Sequence, residues 1–186
     1  MATYYFRNSN GNWSAANSWS TSSGGPANGA VPTAGDDAIL DSNSGSCVVD
    51  IVAVCKSLNF TGYTGTLTMT NGITISGNIT LSSTMTISGA GNLTFNASST
   101  WVSNNKTWPN SVTVSATATI TINSFTFTIG GTLTLSAAVT FAGTNGFNTK
   151  NFTCTTAGLT HTLVAGNTYT ITGVMTTTGT AASHIA

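Results

Sequence analysis

Charged side chains are scarce in this chain of 186 residues, at 4% against about 25% in an average soluble domain. The sequence contains no Glu, and its four Asp residues all lie within residues 36–50. The chain after residue 50 therefore lacks the carboxylate pair that glycoside hydrolysis requires. It also lacks a phosphate-binding loop of the GxxxxGK type. These absences predict a protein that is not an enzyme.

Histidine and cysteine offer little other chemistry. The two histidines, His161 and His184, lie in strand-like sequence, and we expect His161 to face solvent. The three cysteines cannot all pair within one chain. Cys47 and Cys55 flank one apolar stretch, so a disulfide between them is one interpretation. Burial as small apolar residues is the favoured one, and we expect Cys154 to face inward.

The balance of charge points away from nucleic acid and membranes as partners. Four Lys and Arg side chains oppose four Asp, so the net charge is zero. Such a chain has neither a basic footprint for nucleic acid nor a polybasic patch for membranes. It also has no apolar run of about 18 residues and no recognisable secretion signal. Weak charge gives little protection against association, which favours a protein that packs beside other subunits.

Threonine is abundant, with 38 residues, of which 35 follow Phe60. Most belong to a short repeated unit of an apolar residue, Thr and a second apolar residue, as in Ile73-Thr74-Ile75. Such alternation predicts a strand with one buried face. Turn residues such as Asn71-Gly72 separate the units. Within residues 66–95 the predicted core positions are Leu67, Ile73, Ile79, Met85 and Leu93.

The longer period of the repeat predicts the architecture. Units recur after about 18 to 21 residues, as from Leu67 to Met85 and from Ile120 to Val139. Three short strands per ~19 residues fit one coil of a right-handed parallel β-helix, in which each strand stacks on its equivalent one coil earlier. About six or seven such coils are expected after Thr61. A β-sandwich is the alternative fold, but its strands are usually longer.

Residues 1–45 lack the repeat and form the predicted N-terminal capping and docking segment, while residues 46–186 form the β-helix body. A solenoid needs its open end covered, because the first coil would otherwise expose core and an unpaired edge. Trp13 and Trp19 suit that role. Asp36 and Asp37 lie in the same segment and are interpreted as turn, capping and docking residues. No metal site and no cofactor is expected. The chain ends without an aromatic cap, so we expect a further coil or a partner there.

Residues 96–111 interrupt the repeat and carry Trp101 and Trp108. This segment is predicted to be a loop or a larger coil on one side of the rod. Threonines at alternate outward positions, as in Thr66, Thr68 and Thr70, resemble those of ice-binding solenoids. They are expected on several strands of each coil and at uneven spacing, unlike a single regular binding face. Thr also has a general preference for exposed strand positions, which explains its abundance without ice binding.

The chain resembles β-helical surface proteins that occur in bacteriophage virions and as passenger or adhesin regions of bacterial surface proteins. The similar residues are the N-terminal YYFRNSNGNWSAANSWS and GAVPTAGDDAIL, then CVVD, CKSLNFTGYTGTLT and units such as residues 131–136. The similarity spans nearly the whole chain and is sharpest in the N-terminal Trp, Val-Pro and Gly-Asp-Asp positions. It implies a structural or attachment role and brings no catalytic residues.

Together these observations predict a non-enzymatic structural protein on the virion surface, as a capsid decoration or a head or tail fibre subunit. Its expected partners are other copies of itself, as trimers, and capsid or tail proteins. The alternative is an extracellular adhesin or carbohydrate-binding solenoid of a bacterial cell surface, with Trp101 and Trp108 exposed to a host glycan. Ice binding is the least favoured function.

Overall fold

The computed structural model describes residues 1–7 and 9–178. Strands make up 43% of it, and a single 3-10 turn at Ala16–Ser18 is the only helical element within the described ranges. In chain order the strands are β1 (Thr3–Phe6), β2 (Gly11–Asn12), β3 (Trp19–Ser20), β4 (Asp37–Ile39), β5 (Cys47–Val49), β6 (Ala53–Cys55), β7 (Leu58–Asn59), β8 (Thr66–Met69), β9 (Ile73–Ile75), β10 (Ile79–Thr80), β11 (Thr86–Gly89), β12 (Leu93–Phe95), β13 (Ser99–Val102), β14 (Val112–Val114), β15 (Ala118–Ile122), β16 (Phe127–Leu135), β17 (Val139–Gly143), β18 (Phe147–Cys154), β19 (Thr170–Ile171) and β20 (Met175–Thr177).

The strands form three sheets that surround one core. Sheet A runs in the order β17-β15-β13-β10-β7-β4-β1-β3, sheet B in the order β11-β8-β5-β2, and sheet C in the order β19-β18-β16-β14-β12-β9-β6, with β20 also paired to β18. In each of the first three coils the chain passes from sheet A to sheet B to sheet C. Within the part of the chain that the structure describes, every strand pairing is parallel except that of β1 with β3. The predicted parallel β-helix is confirmed, with about 7 turns.

The coils are slightly longer than the ~19 residues predicted. Paired residues of successive coils lie 20 positions apart at Cys47 and Leu67, and 21 apart at Leu58 and Ile79. The predicted equivalence of Leu67 with Met85 is wrong, because Leu67 pairs with Ile87. Met85 belongs to the turn before β11, where its N–H donates to the carbonyl of Ser82, as the Tyr63 N–H does to Phe60 one coil earlier. A six-residue repeat does not distinguish this buried turn residue from the first residue of a strand.

The equivalence of Ile120 with Val139 is wrong for a related reason. Ile120 pairs with Phe141, and Val139 pairs with Ala118. The strand β15 is five residues long, and an apolar-Thr-apolar unit can begin at either Ala118 or Ile120. Alternation alone does not show which of the two residues stacks on Val139.

Alternate residues of each strand fill the interior. In β9 the two isoleucines are buried while Thr74 is half-buried on the outer face. The predicted core positions Leu67, Ile73, Ile79, Met85 and Leu93 are all buried. Their burial supplies the main driving force for folding, since each fully buried aliphatic side chain contributes about 1.5–3 kcal/mol.

The N-terminal residues fold back over the first coil. β1 pairs in parallel with β4 and antiparallel with β3, so β3 forms the outer edge of sheet A. β2 pairs with β5 and covers the first coil in sheet B. Stacking of strands therefore begins well before residue 45, and the predicted boundary between cap and body falls between β4 and β5 of one coil.

The segment predicted as a loop or larger coil contains the strand β13, which pairs with β10 and β15 in sheet A. Sheet B ends at β11. In the next coil its place is taken by an irregular stretch whose one ladder contact is a parallel bridge between Trp108 and Ile129. The chain end and His184 lie outside the described residues.

Candidate functional site

The N-terminal cap is built around an indole pair. The rings of Trp13 and Trp19 meet edge to face at a centroid distance of 4.8 Å, and Phe6 lies 5.2 Å from Trp19. The Trp19 Nε1–H donates a hydrogen bond of 2.8 Å to the carbonyl of Trp13. Both indoles are fully buried. They therefore pack the end of the rod, and neither ring is available for docking by direct contact.

Two aspartates fasten the cap to the first coil. Asp36 accepts hydrogen bonds from Thr33 Oγ1 at 2.6 Å and from the backbone N–H of Ala2 at 2.8 Å. The Thr33 hydroxyl, followed by the Ala2 N–H, lowers the pKa of Asp36. Asp50 accepts from Ser14 Oγ at 2.5 Å and from its N–H at 3.0 Å. Desolvation raises the pKa of Asp50, but these hydrogen bonds outweigh it and the net shift is downward.

Asp37 begins β4, and its backbone N–H donates to the carbonyl of Ala2. Asp41 belongs to a turn, where its carboxylate accepts from the N–H of Asn43 at 2.9 Å. Within the described ranges no three His, Cys, Asp or Glu side chains are placed to hold a metal ion. The bonds of Asp36 and Asp41 are those of turn and capping residues.

Trp101 and Trp108 are fully buried, so the prediction that these indoles are exposed to a glycan is wrong. Trp101 faces inward from β13 because Ser99 and Trp101 take the inward positions of that strand. Its ring lies 4.6 Å from that of Phe95 and 4.9 Å from that of Phe127. The prediction assumed that a segment without the regular repeat would be exposed. In the structure the indole of Trp101 is instead packed in the core against other aromatic rings.

His161 is also buried, which corrects the prediction that it faces solvent. Its Nδ1 has no hydrogen-bond partner among the described residues, and burial lowers its pKa. The three cysteines are free and buried, so Cys47 and Cys55 form no disulfide and Cys154 faces inward as predicted. Burial raises the pKa of all three thiols. None of these groups is presented as a nucleophile or base.

The outer face of sheet C carries a column of threonines, one from each strand that follows β6 in the stack, whereas β6 itself places Val54 in that position. The paired residues in order are Thr74, Thr94, Thr113, Thr134, Thr153 and Thr176. Neighbouring strands place them ~4.8 Å apart. The expectation of uneven spacing is therefore wrong for this sheet, although it holds for sheet A, where Asn59, Thr80 and Val102 share one column.

A cluster of exposed apolar side chains lies where sheet C begins. Ile51, Val52 and Val54 are 39%, 71% and 38% exposed, and we call these three residues the sheet C rim. β6 is the terminal strand of sheet C within the described residues, whereas the first coil of sheets A and B is covered by β1 and β2. The sequence carried a signal for this cluster, because four successive apolar residues, 51–54, cannot all face inward from one strand.

Among the described residues no strand pairs with the outer edge of β6. The Ala53 N–H donates to the carbonyl of Gly72 in the next coil. Backbone groups of successive strand residues point to opposite edges, so the N–H and C=O of Val54 point away from the rod. An open edge beside exposed apolar residues is a template for pairing with another chain.

Comparison with protein-family models, curated proteins and solved structures found no match to this chain. Among the described residues no helix has the length and hydropathy that crossing a membrane requires.

Proposed function

We propose that this chain is a non-enzymatic structural protein of a bacteriophage virion, a capsid decoration or a head or tail fibre subunit, that assembles through its N-terminal end. The sheet C rim carries the proposal. Single exposed apolar residues are normal on protein surfaces. Here three of them adjoin the open edge of β6, and a partner that adds a strand there would cover both features at once.

The rest of the outer surface supports a structural role. After residue 50 the outward positions are mostly hydroxyl and amide side chains, with three lysines and no carboxylate. Such an outer surface lacks the carboxylate pair of a hydrolase. It also carries too little charge for electrostatic repulsion to oppose association. The expected partners are further copies of this chain, as trimers, together with capsid or tail proteins, and the expected location is the virion surface.

Sedimentation velocity over a series of protein concentrations tests the proposal. We expect the chain to self-associate, and we expect Val52→Asp to shift it towards monomer, because a carboxylate would be desolvated in the interface. Thr119→Asp adds the same charge at an exposed position of β15 and serves as the control. A chain that stays monomeric at every concentration, or a Val52→Asp variant that associates as the parent does, would refute assembly through the rim.

An adhesin or carbohydrate-binding role on a bacterial cell surface remains the second candidate, and one observation favours it. Phe125 is 38% exposed beside a groove that is also lined by hydroxyl and amide side chains. Ice binding is the third candidate and rests on the threonine column of sheet C. A purified sample that produces no thermal hysteresis would remove it.

A further inference from the structure

We propose that the corner between sheets A and B is a binding site for a neutral oligosaccharide, with Phe125 as the ring on which a sugar stacks. A groove of about 490 Å³ runs along this corner across successive coils. We call it the corner groove, and its lining includes Thr61, Ser83, Thr84, Asn104, Asn105 and Phe125. It is distinct from the sheet C rim, so this site goes beyond the assembly role.

Phe125 is held outward by a strained turn. The Phe125 N–H donates to the carbonyl of Asn123 at 2.9 Å, and Ser124 between them has φ +71°. This arrangement is a classic γ-turn, which is rare and strained for a residue other than glycine. Two residues later Phe127 is fully buried in the core. The chain thus places one phenyl ring inside and holds the other at the groove.

The same corner holds the other strained residues. Among the described residues the non-glycine positions with positive φ are Ser124, Asn104 (φ 47°) and Asn105 (φ 62°). The two asparagines are the central residues of a turn that the Lys106 N–H closes on the Ser103 carbonyl at 2.8 Å. Strained backbone clusters where a surface is shaped for binding. Here the cluster coincides with the half-exposed ring.

The polar groups of the groove are positioned by the coil beneath them. Asn104 Nδ2 donates to the carbonyl of Leu81 at 2.8 Å. Thr84 Oγ1 donates to the carbonyl of Tyr63 at 3.0 Å, and lies 2.8 Å from the hydroxyl of Ser82. Asn105 remains exposed at the mouth of the groove. These groups therefore offer hydroxyl and amide partners on a largely fixed frame.

The chemistry of the lining selects the ligand class. An aromatic ring presents a flat apolar face, and hydroxyl and amide groups both donate and accept hydrogen bonds. A neutral sugar has matching surfaces, namely a C–H face and a rim of hydroxyls. No carboxylate lines the groove. A second groove of about 390 Å³ shares Ser83 and Asn105 and continues past Lys106, which gives room for a chain of several sugars.

The test is a glycan-array and calorimetric titration of the full chain with neutral hexasaccharides of glucose, mannose, galactose and N-acetylglucosamine. We expect at least one to bind, and Phe125→Ala to weaken that binding by about tenfold or more, the equivalent of one lost aromatic contact. Asn105→Gly removes the amide without adding strain at positive φ, and should also weaken binding. Val52→Ala is the control, because Val52 is exposed but lies on the sheet C rim.

Two results would overturn the site. One is that none of the hexasaccharides binds. The other is that Phe125→Ala, shown to be folded by its thermal transition, binds as the parent does. Phe125→Leu keeps an apolar side chain without a flat ring, so it should also lose affinity. Sedimentation of the same variants should be unchanged, which separates failure of the corner groove from failure of assembly through the rim.

Discussion

Tryptophan in this chain is a packing residue at every one of its four positions, since all four indoles are fully buried. Trp101 illustrates the reason, because its ring packs between those of Phe95 in β12 and Phe127 in β16. A side chain that points inward from a strand of the solenoid is enclosed by the three sheets. A large ring such as that of Trp101 is accommodated by packing against the side chains of neighbouring coils along the rod axis.

Replacement of Trp101 should therefore cost stability. We expect Trp101→Ala to lower the free energy of unfolding by about 3–5 kcal/mol, the usual cost of truncating a buried aromatic side chain. Denaturant titration followed by circular dichroism measures it. Phe125→Ala is the matched control, and its cost should stay below about 1 kcal/mol because the ring is partly exposed. Equal costs at the two positions would contradict the burial of Trp101.

His161 should make stability depend on pH. Its pKa is lowered by burial in the folded chain, while the unfolded value is near 6.5. The unfolded chain therefore takes up a proton first, and stability falls as pH drops from about 6.5 towards the folded pKa. Asp36 and Asp50 have lowered pKa values and act only near and below about pH 4.

The measurement is the thermal midpoint of the parent and of His161→Leu between about pH 7 and pH 5. The parent should lose stability over this interval, and the variant should lose much less. His184 is present in both proteins and is the internal control. A variant that retains the full pH dependence would show that His161 is not the group responsible.

Individual side chains were predictable from sequence only where alternation was clear. The inward positions of the apolar-Thr-apolar units, such as Ile73 and Leu93, follow from period alone and are buried. His161, Trp101 and Trp108 sit in irregular sequence, where no period assigns a face. Burial of those residues depends on how neighbouring coils close around them, which is tertiary information.

At the corner between sheets B and C, successive coils approach each other closely through their backbones at glycine. A Cβ added at Gly91 would lie 1.9 Å from the carbonyl oxygen of Asn71 in the preceding coil. The absence of a side chain at Gly91 lets this corner follow the ~4.8 Å spacing of the stacked strands. Sequence reasoning identified these positions as turns, but their role in bringing coils together appears only in three dimensions.

Gly91→Ala should disturb this corner. We expect it to lower the free energy of unfolding by about 1–3 kcal/mol, since the clash is with backbone and cannot be relieved by rotating a side chain. Gly35→Ala is the matched control, because no atom lies within 4 Å of an added Cβ there. Its effect should stay within about 0.5 kcal/mol. Chemical denaturation compares the two, and similar losses would contradict the corner packing.

Coil length was the part of the element pattern least visible in sequence. The repeat predicted the strands and the three-sheet plan, but it paired Leu67 with Met85, and the structure pairs it with Ile87. Differences in turn length between units change which residues stack without changing the alternation within a unit. The local alternation of apolar and polar residues shows which segments are strands. Which residues of successive coils pair with each other depends on the backbone hydrogen bonds between the coils.

The whole molecule is a short solenoid whose three sheets are not equally covered at the N-terminal end. Sheets A and B are covered by strands of the cap, while sheet C begins with the open edge of β6. The sequence distinguishes residues 1–45 by their tryptophans and their lack of the repeat. It does not indicate the uncovered edge, because that edge depends on the N-terminal strands pairing within two sheets and not within the third.

The corner groove could not be predicted from the sequence either. Thr61, Ser83, Asn105 and Phe125 are separated by about 20 residues each, one coil apart, and come together only through stacking. Phe125 and Phe127 alternate with Thr126 as in a strand, so alternation alone would place both rings on one face. The γ-turn at Ser124 is what turns Phe125 outward.

Hydrogen exchange at the Val54 amide, measured by NMR at low and high protein concentration, tests assembly through the sheet C rim most directly. If a partner copy pairs with β6, this amide should exchange fast in the dilute monomer and become protected as the concentration rises, while Thr74 in the next strand stays protected throughout. A Val54 amide that exchanges equally fast at both concentrations, in samples shown by sedimentation to associate, would contradict docking at this edge.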